Sequence, residues 1–230
     1  SGITSVLLEY KRSAASTWTV GCSKASAAYE CSLDTATLAD GTYDFRATAY
    51  DAAGNSTVST VASRSVSNPL TALSIDAGNQ NGTPAAGDTI VLTYSRSVDL
   101  STISAGWTNP ALPQSVSMVF KDAAVGASTT KDRIEFSNAA LGVVTFNEDY
   151  VTANTTTVPF TGTMTATTNG SGQTQITIVF TAAVMPVGVQ ADPNGKGDLV
   201  WTPSSSVKAP NGTAGSSVTV TESGANDKDL

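Results

Sequence analysis

The chain has 230 residues, enough for one large domain or two modest ones and for a sizeable core. Charged residues are 13% of it, and 12 Lys and Arg against 19 Asp and Glu leave a net charge of −7, a field that repels nucleic acid and anionic lipid. It has no His and 2 Cys, which excludes Ser-His-Asp triads, His-ligated zinc and haem, and Cys-only zinc or iron–sulfur sites.

Taken in order, the chain alternates apolar and polar residues with a period of two and shows almost no helical periodicity. Strands are expected at 5–11, 17–20, 29–33, 42–50 and 58–66. In the clearest of them Tyr43, Phe45, Ala47 and Ala49 face one way, and Asp44, Arg46 and Thr48 the other. Turn residues punctuate the series: Asp40-Gly41 before this strand, Ala53-Gly54-Asn55 after it. Cys22 follows the second of these segments, in the strand that 17–20 begins, and Cys31 lies in the third. They read either as two buried thiols or, better, as a disulfide closing a small loop, which would place the chain in an oxidising compartment. Five short strands read as one antiparallel sandwich.

The chain pauses at Asn68-Pro69 and a second series begins. Strands are expected at 70–75, 88–94, 115–120, 133–136, 143–146, 162–167, 175–180, 199–201 and 217–221, separated by loops rich in Gly, Asn, Pro and Ser. One helical turn is expected within 99–107, capped by Asp99 or Ser101. The fold class is therefore all-β: two antiparallel sandwiches in tandem, at 1–68 and 69–230. Apolar runs stay far below the ~20 residues of a spanning helix, so no membrane insertion is expected. The chain begins Ser1-Gly2 with no charged-then-apolar leader, as a processed chain or a piece of something larger would.

Residues 38–55, LADGTYDFRATAYDAAGN, resemble the closing hairpin of bacterial immunoglobulin-like repeats, and the match extends over about 3–67, including Glu9-Tyr10, Trp18-Thr19 and the cysteine pair. The resemblance puts Asp40, Gly41 and Tyr43 at that family's tyrosine corner, where a Tyr hydroxyl bonds back to an upstream backbone group. The stretch GTPAAGDTIVLTYSRSVDLSTISAGW at 82–107 is similar to Ig-like modules of bacterial surface-layer and large exported proteins. The resemblance thus implies two Ig-like domains, the first lacking its N-terminal strands. Three origins of that lack stand open: a longer native chain, a module reduced in evolution, or strands supplied by another subunit.

Candidate sites are few. Asp192, Asn194 and Asp198 space oxygen ligands at alternate positions as calcium loops do, but no bidentate Glu follows, so an exposed turn is the better reading and no cofactor is expected. Asp51 and Asn55 at a sheet end form a similar, weaker calcium candidate. Adjacent Glu148 and Asp149 would point to opposite faces of a strand and make a poor catalytic pair. The sequons at Asn55, Asn81, Asn154, Asn169 and Asn211 are expected to be unmodified in a bacterial chain. Trp18, Trp107 and Trp201 are expected in cores, with Trp107 the first to suspect at an interface or carbohydrate contact.

No residue set supports catalysis. The expectation is a non-enzymatic extracellular protein of the bacterial cell surface, self-associating into a filament, pilus or layer as a homopolymer, with strand complementation as one route. The alternative is an adhesion or ligand-binding module, for carbohydrate or host protein, on a larger exported protein. A third reading is an accessory domain of a secreted enzyme. In the complementation reading the donor would come from the second module, near 217–221.

Overall fold

The computed structural model describes residues 2–35, 38–78, 82, 84–122, 132–146, 150–151, 157–181 and 197–223. The chain forms two compact units, Ser1–Asn68 and Pro69–Leu230. Both are all-β and antiparallel, and among the described residues no helix is long and apolar enough to cross a membrane.

The first unit contains β1 (Ile3–Arg12), β2 (Thr19–Lys24), β3 (Gly41–Asp51), β4 (Ser56–Val58) and β5 (Ala62–Val66). They lie in one sheet ordered β2-β1-β3, with β4 and then β5 along the far edge of β3. The sequence suggested a sandwich here; the five strands instead make a single layer. Register sorts the side chains. Val6 stands opposite Ala49, Leu8 opposite Ala47 and Tyr10 opposite Phe45, while Glu9 faces Arg46 and Lys11 faces Asp44. Since neighbouring residues alternate between faces, one face is apolar and the other charged.

Two expected strands come out differently. Segment 29–33 does alternate between half-buried and exposed residues, but it pairs with nothing and is coil. Residues 58–66 split into β4 and β5 with a one-residue change of register on β3, and at the break Ser59 N–H donates to the Ala47 carbonyl at 2.8 Å while its hydroxyl accepts the Ala47 N–H at 2.9 Å. Regular pairing resumes at Ala62.

The second unit holds β6 (Ala72–Gly78), β7 (Thr89–Tyr94), β8 (Gln114–Lys121), β9 (Arg133–Phe136), β10 (Val143–Thr145), β11 (Thr157–Thr168), β12 (Thr174–Phe180), β13 (Val200–Thr202) and β14 (Val220–Thr221). They form one nine-stranded sheet, ordered β14-β13-β10-β9-β8-β11-β12-β7-β6. The sheet curls until its first and last strands stand side by side, a near-barrel arrangement. Its interior is rich in aromatic rings. Phe120 packs against Phe160 at 4.4 Å, Phe146 at 5.5 Å and Phe180 at 6.1 Å, and Trp201 meets Tyr94 edge-on at 4.9 Å. At Gly142 (φ +88°), which leads into β10, a Cβ would collide with the Thr202 carbonyl oxygen, so only glycine lets these backbones approach. The expected helical turn is a short 3₁₀ turn, Leu100–Thr102, capped by the Asp99 carboxylate accepting from Ser101 N.

Candidate functional site

The feature that sets this chain apart is the apolar face of the first unit. It carries Val6, Leu8, Tyr10, Tyr43, Phe45, Ala47 and Ala49, most of them only half-buried. One end is covered from within. Cys31, on the unpaired segment, is joined to Cys22 of β2 with Cα atoms 6.3 Å apart, and Cys22 stands opposite Leu8. Nearer the other end of β1, Tyr29 donates its hydroxyl proton to the Ile3 carbonyl at 2.7 Å. The Tyr43 hydroxyl donates to the Ala39 carbonyl at 3.0 Å, four residues upstream, and the Tyr43 ring is 5% exposed.

Asp40 and Gly41 shape that end. Asp40 Oδ1 accepts the Asn68 N–H at 3.0 Å, and its carbonyl accepts from the Arg12 guanidinium. Gly41 has φ +147°, a backbone conformation that disfavours a side chain, and the Arg12 guanidinium sits 3.3 Å from where a Cβ would be. Asn68 completes the closure by donating to the Thr35 and Leu38 carbonyls at 2.8 and 2.9 Å. Sequence reading saw Asn68 only as a boundary; its amide sews the covering segment shut.

The other end of the face is open. Beyond Leu8 and Ala47 a cleft of about 500 Å³ is lined by Ile3, Val6, Ala47, Ala49 and Val58, with polar groups from Asp51 to Ser59 on its rim. Ile3 and Val58 are 52% and 50% exposed. Asp51 and Asn55 close the β3–β4 turn here: Asp51 Oδ1 accepts the N–H groups of Ala53 and Asn55, and Oδ2 accepts from the Asn55 amide, each at 2.9 Å. Their oxygens serve the turn.

The opposite face is polar and internally satisfied. Glu9 and Arg46 pair at 2.7 Å, and Trp18 lies against Arg46 at 4.3 Å and Lys11 at 5.3 Å. Trp18, expected in a core, is thus half-exposed on the charged face, held by cation–π contacts. Hydrogen bonds from Ser63 and Ser13, with Lys11 nearby, hold the Asp44 carboxyl below its usual range. A sheet that is solvated on one side and apolar on the other is chemically suited to take up an apolar segment, and offers no acid–base pair.

The remaining sequence candidates fall elsewhere. Trp107, suspected as an interface residue, is 1% exposed, and its indole N–H donates to the Asn109 carbonyl at 2.9 Å. It packs in the core of the second unit and also lines a cleft of about 400 Å³ with Asp99, Thr108 and Thr174. Trp201 is fully buried, donating to the Leu141 carbonyl at 2.7 Å. Asp192 and Asn194 lie outside the described residues, as do Glu148 and Asp149; Asp198 is described and half-buried. No group of three His, Cys, Asp or Glu side chains that could hold a metal ion occurs among the described residues. Compared with known proteins, the chain matches no family model, and no curated protein or solved structure is similar enough to count as a match.

Proposed function

We propose that this chain is a non-enzymatic, extracellular structural subunit of a bacterial surface filament or layer, built from two Ig-like domains. In this reading the first unit is an Ig-like domain short of its N-terminal strands, and a strand from another copy covers its apolar face. The observation that carries the reading is the open cleft beside Val6, Ala47 and Ala49 on a sheet whose other end is already covered from within. Burying side chains of this size is worth roughly 1.5–3 kcal/mol each. The Tyr43–Ala39 bond above the Asp40-Gly41 turn has the form of an Ig-like tyrosine corner. The Cys22–Cys31 pair suits an oxidising, exported setting.

The donor expected at 217–221 needs revision, because Val220 and Thr221 already pair with β13 in their own unit. A donor for the cleft comes from another part of a neighbouring copy. A head-to-tail contact of this kind propagates as a filament when its rotation does not close. The test is light scattering of the full chain over a concentration series, beside Ala49→Glu, which puts a charge in the cleft. Growth of the wild type into linear assemblies and a folded, monomeric variant is the expected result. A wild type that stays monomeric while binding a glycan or host protein saturably would replace this reading with the adhesion one.

A further inference from the structure

The second unit carries a cleft that the filament reading does not use. It is the space of about 400 Å³ beside Trp107, within the size range of small-ligand sites, about 300–1,000 Å³. The connection from β7 to β8 forms one side of it, and the β11–β12 hairpin another. Hydrogen bonds tie these sides together. Val98 N–H donates to the Thr174 hydroxyl oxygen at 3.2 Å, Asp99 N–H to the Lys208 carbonyl at 2.8 Å, and Ala166 N–H to the Pro110 carbonyl at 3.1 Å. The cleft is thus built into the fold, and ordering it costs a ligand little.

Its polar groups keep bonding capacity. Asp99 Oδ1 accepts the Ser101 N–H and hydroxyl at 3.1 and 2.7 Å, while Oδ2 accepts nothing among the described residues. Asp51 in the first unit differs, because both of its carboxylate oxygens serve their turn. Thr108 and Thr168 are exposed, and their hydroxyls make no hydrogen bond among the described residues. Leu100, Pro110 and Pro210 supply apolar surface beside them, and no Lys or Arg among the described residues lines the cleft.

That combination selects a ligand class. One carboxylate and no cation on the walls, in a chain of net charge −7, repel an anion. A single solvated carboxylate holds a cation only weakly. Hydroxyls both donate and accept, so the walls match a neutral ligand with several hydroxyls and an apolar C–H surface. We infer that this cleft binds a neutral saccharide, a mono- or disaccharide unit of a glycan. Asp99 Oδ2 and the Thr108 and Thr168 hydroxyls bond the sugar hydroxyls, and the Leu100 and proline side chains meet its C–H surface. Trp107 is the base of the site and not a stacking platform, since it is 1% exposed and its indole N–H is already bonded.

The test is ligand-observed saturation-transfer NMR on the full chain, which reads binding to monomer and filament alike. The probes are glucose, galactose, mannose, N-acetylglucosamine, maltose, cellobiose and lactose, with glucosamine as the cationic counterpart and glucuronate as the anionic one. Saturable binding of a neutral sugar and none of glucuronate is the expected result. Asp99→Asn keeps the acceptor for Ser101 and replaces the free oxygen by an amide, and should weaken binding about tenfold; Thr108→Val should weaken it about threefold. Loss of affinity in either variant places the sugar in the cleft. Binding that neither variant changes, no binding of any neutral sugar, or tighter binding of glucosamine than of glucose would overturn the inference. Ala49→Glu, in the other unit, should bind as the wild type does. Filaments without sugar binding would defeat this inference and leave the filament standing; sugar binding by a chain that never assembles would support it and defeat the filament.

Discussion

The strands of the two units read alike in sequence, alternating and rich in Thr, yet they end in different relations to water. In the second unit nine strands curl around one interior, and Phe120, Phe146, Trp201 and Leu92 are fully buried. In the first, five strands stay in one layer, and only Tyr43, Thr48 and Val66 fall into the buried class among the described residues. Length explains the difference. A sheet must bury its apolar face against something, and 68 residues supply one layer plus a covering segment. The second unit has enough strands to be its own second layer. The first uses a disulfide and a tyrosine hydroxyl where the second uses packed rings.

That contrast can be broken in order of size. Trp201→Ala should cost about 3–5 kcal/mol, through loss of the Tyr94 contact and the cavity left behind. In calorimetry it should lower the transition of the second unit and leave that of the first in place. Replacing Cys22 and Cys31 by Ser should cost roughly 2–3 kcal/mol, as expected for so short a loop, and should move only the first transition. Tyr43→Phe removes one hydrogen bond and should cost about 1 kcal/mol in the same unit, read from chemical denaturation. The smallest effect is on acid stability. Asp44 is held low by Ser63 and Ser13, and Glu135 by Lys121 and Arg133, from ordinary values of 3.8 and 4.5. A carboxyl depressed on folding contributes stability above its unfolded pKa and loses it as pH falls through the folded one. A pH titration of unfolding should therefore show a shallow decline below about pH 4, since both groups are largely solvated.

Much of this was legible in the sequence, and the gaps have physical causes. The alternation of 42–50 located β3 and its two faces, and the Asp40-Gly41 and Tyr43 positions marked the covered end. The same period of two misled at 29–33, where Tyr29, Cys31 and Leu33 alternate in burial without any ladder. Periodicity reports which side is buried, and a segment tethered by a disulfide has the same signature as a strand. The strand expected at 58–66 breaks at Ser59, where the register on β3 changes by one residue and the hydroxyl accepts the Ala47 N–H, something composition does not announce. Trp107 was expected in a core and is buried there, its indole N–H held by the carbonyl of Asn109 in the turn that follows. The cleft depends on how many strands share a layer, which is topology. The bond from the Ala77 N–H of β6 to the Glu222 carboxylate just past β14 had no sequence signal beyond an acid after a strand.

The claim that the first unit is completed by another copy is tested most directly by hydrogen exchange on the intact full chain across a wide concentration range. The account predicts that amides of β1, β3 and β4 around Val6, Ala49 and Val58 gain protection as concentration rises, while the β8 and β11 core around Phe120 and Phe160 keeps the same slow rate throughout. Exchange in β1, β3 and β4 that does not change with concentration would contradict it.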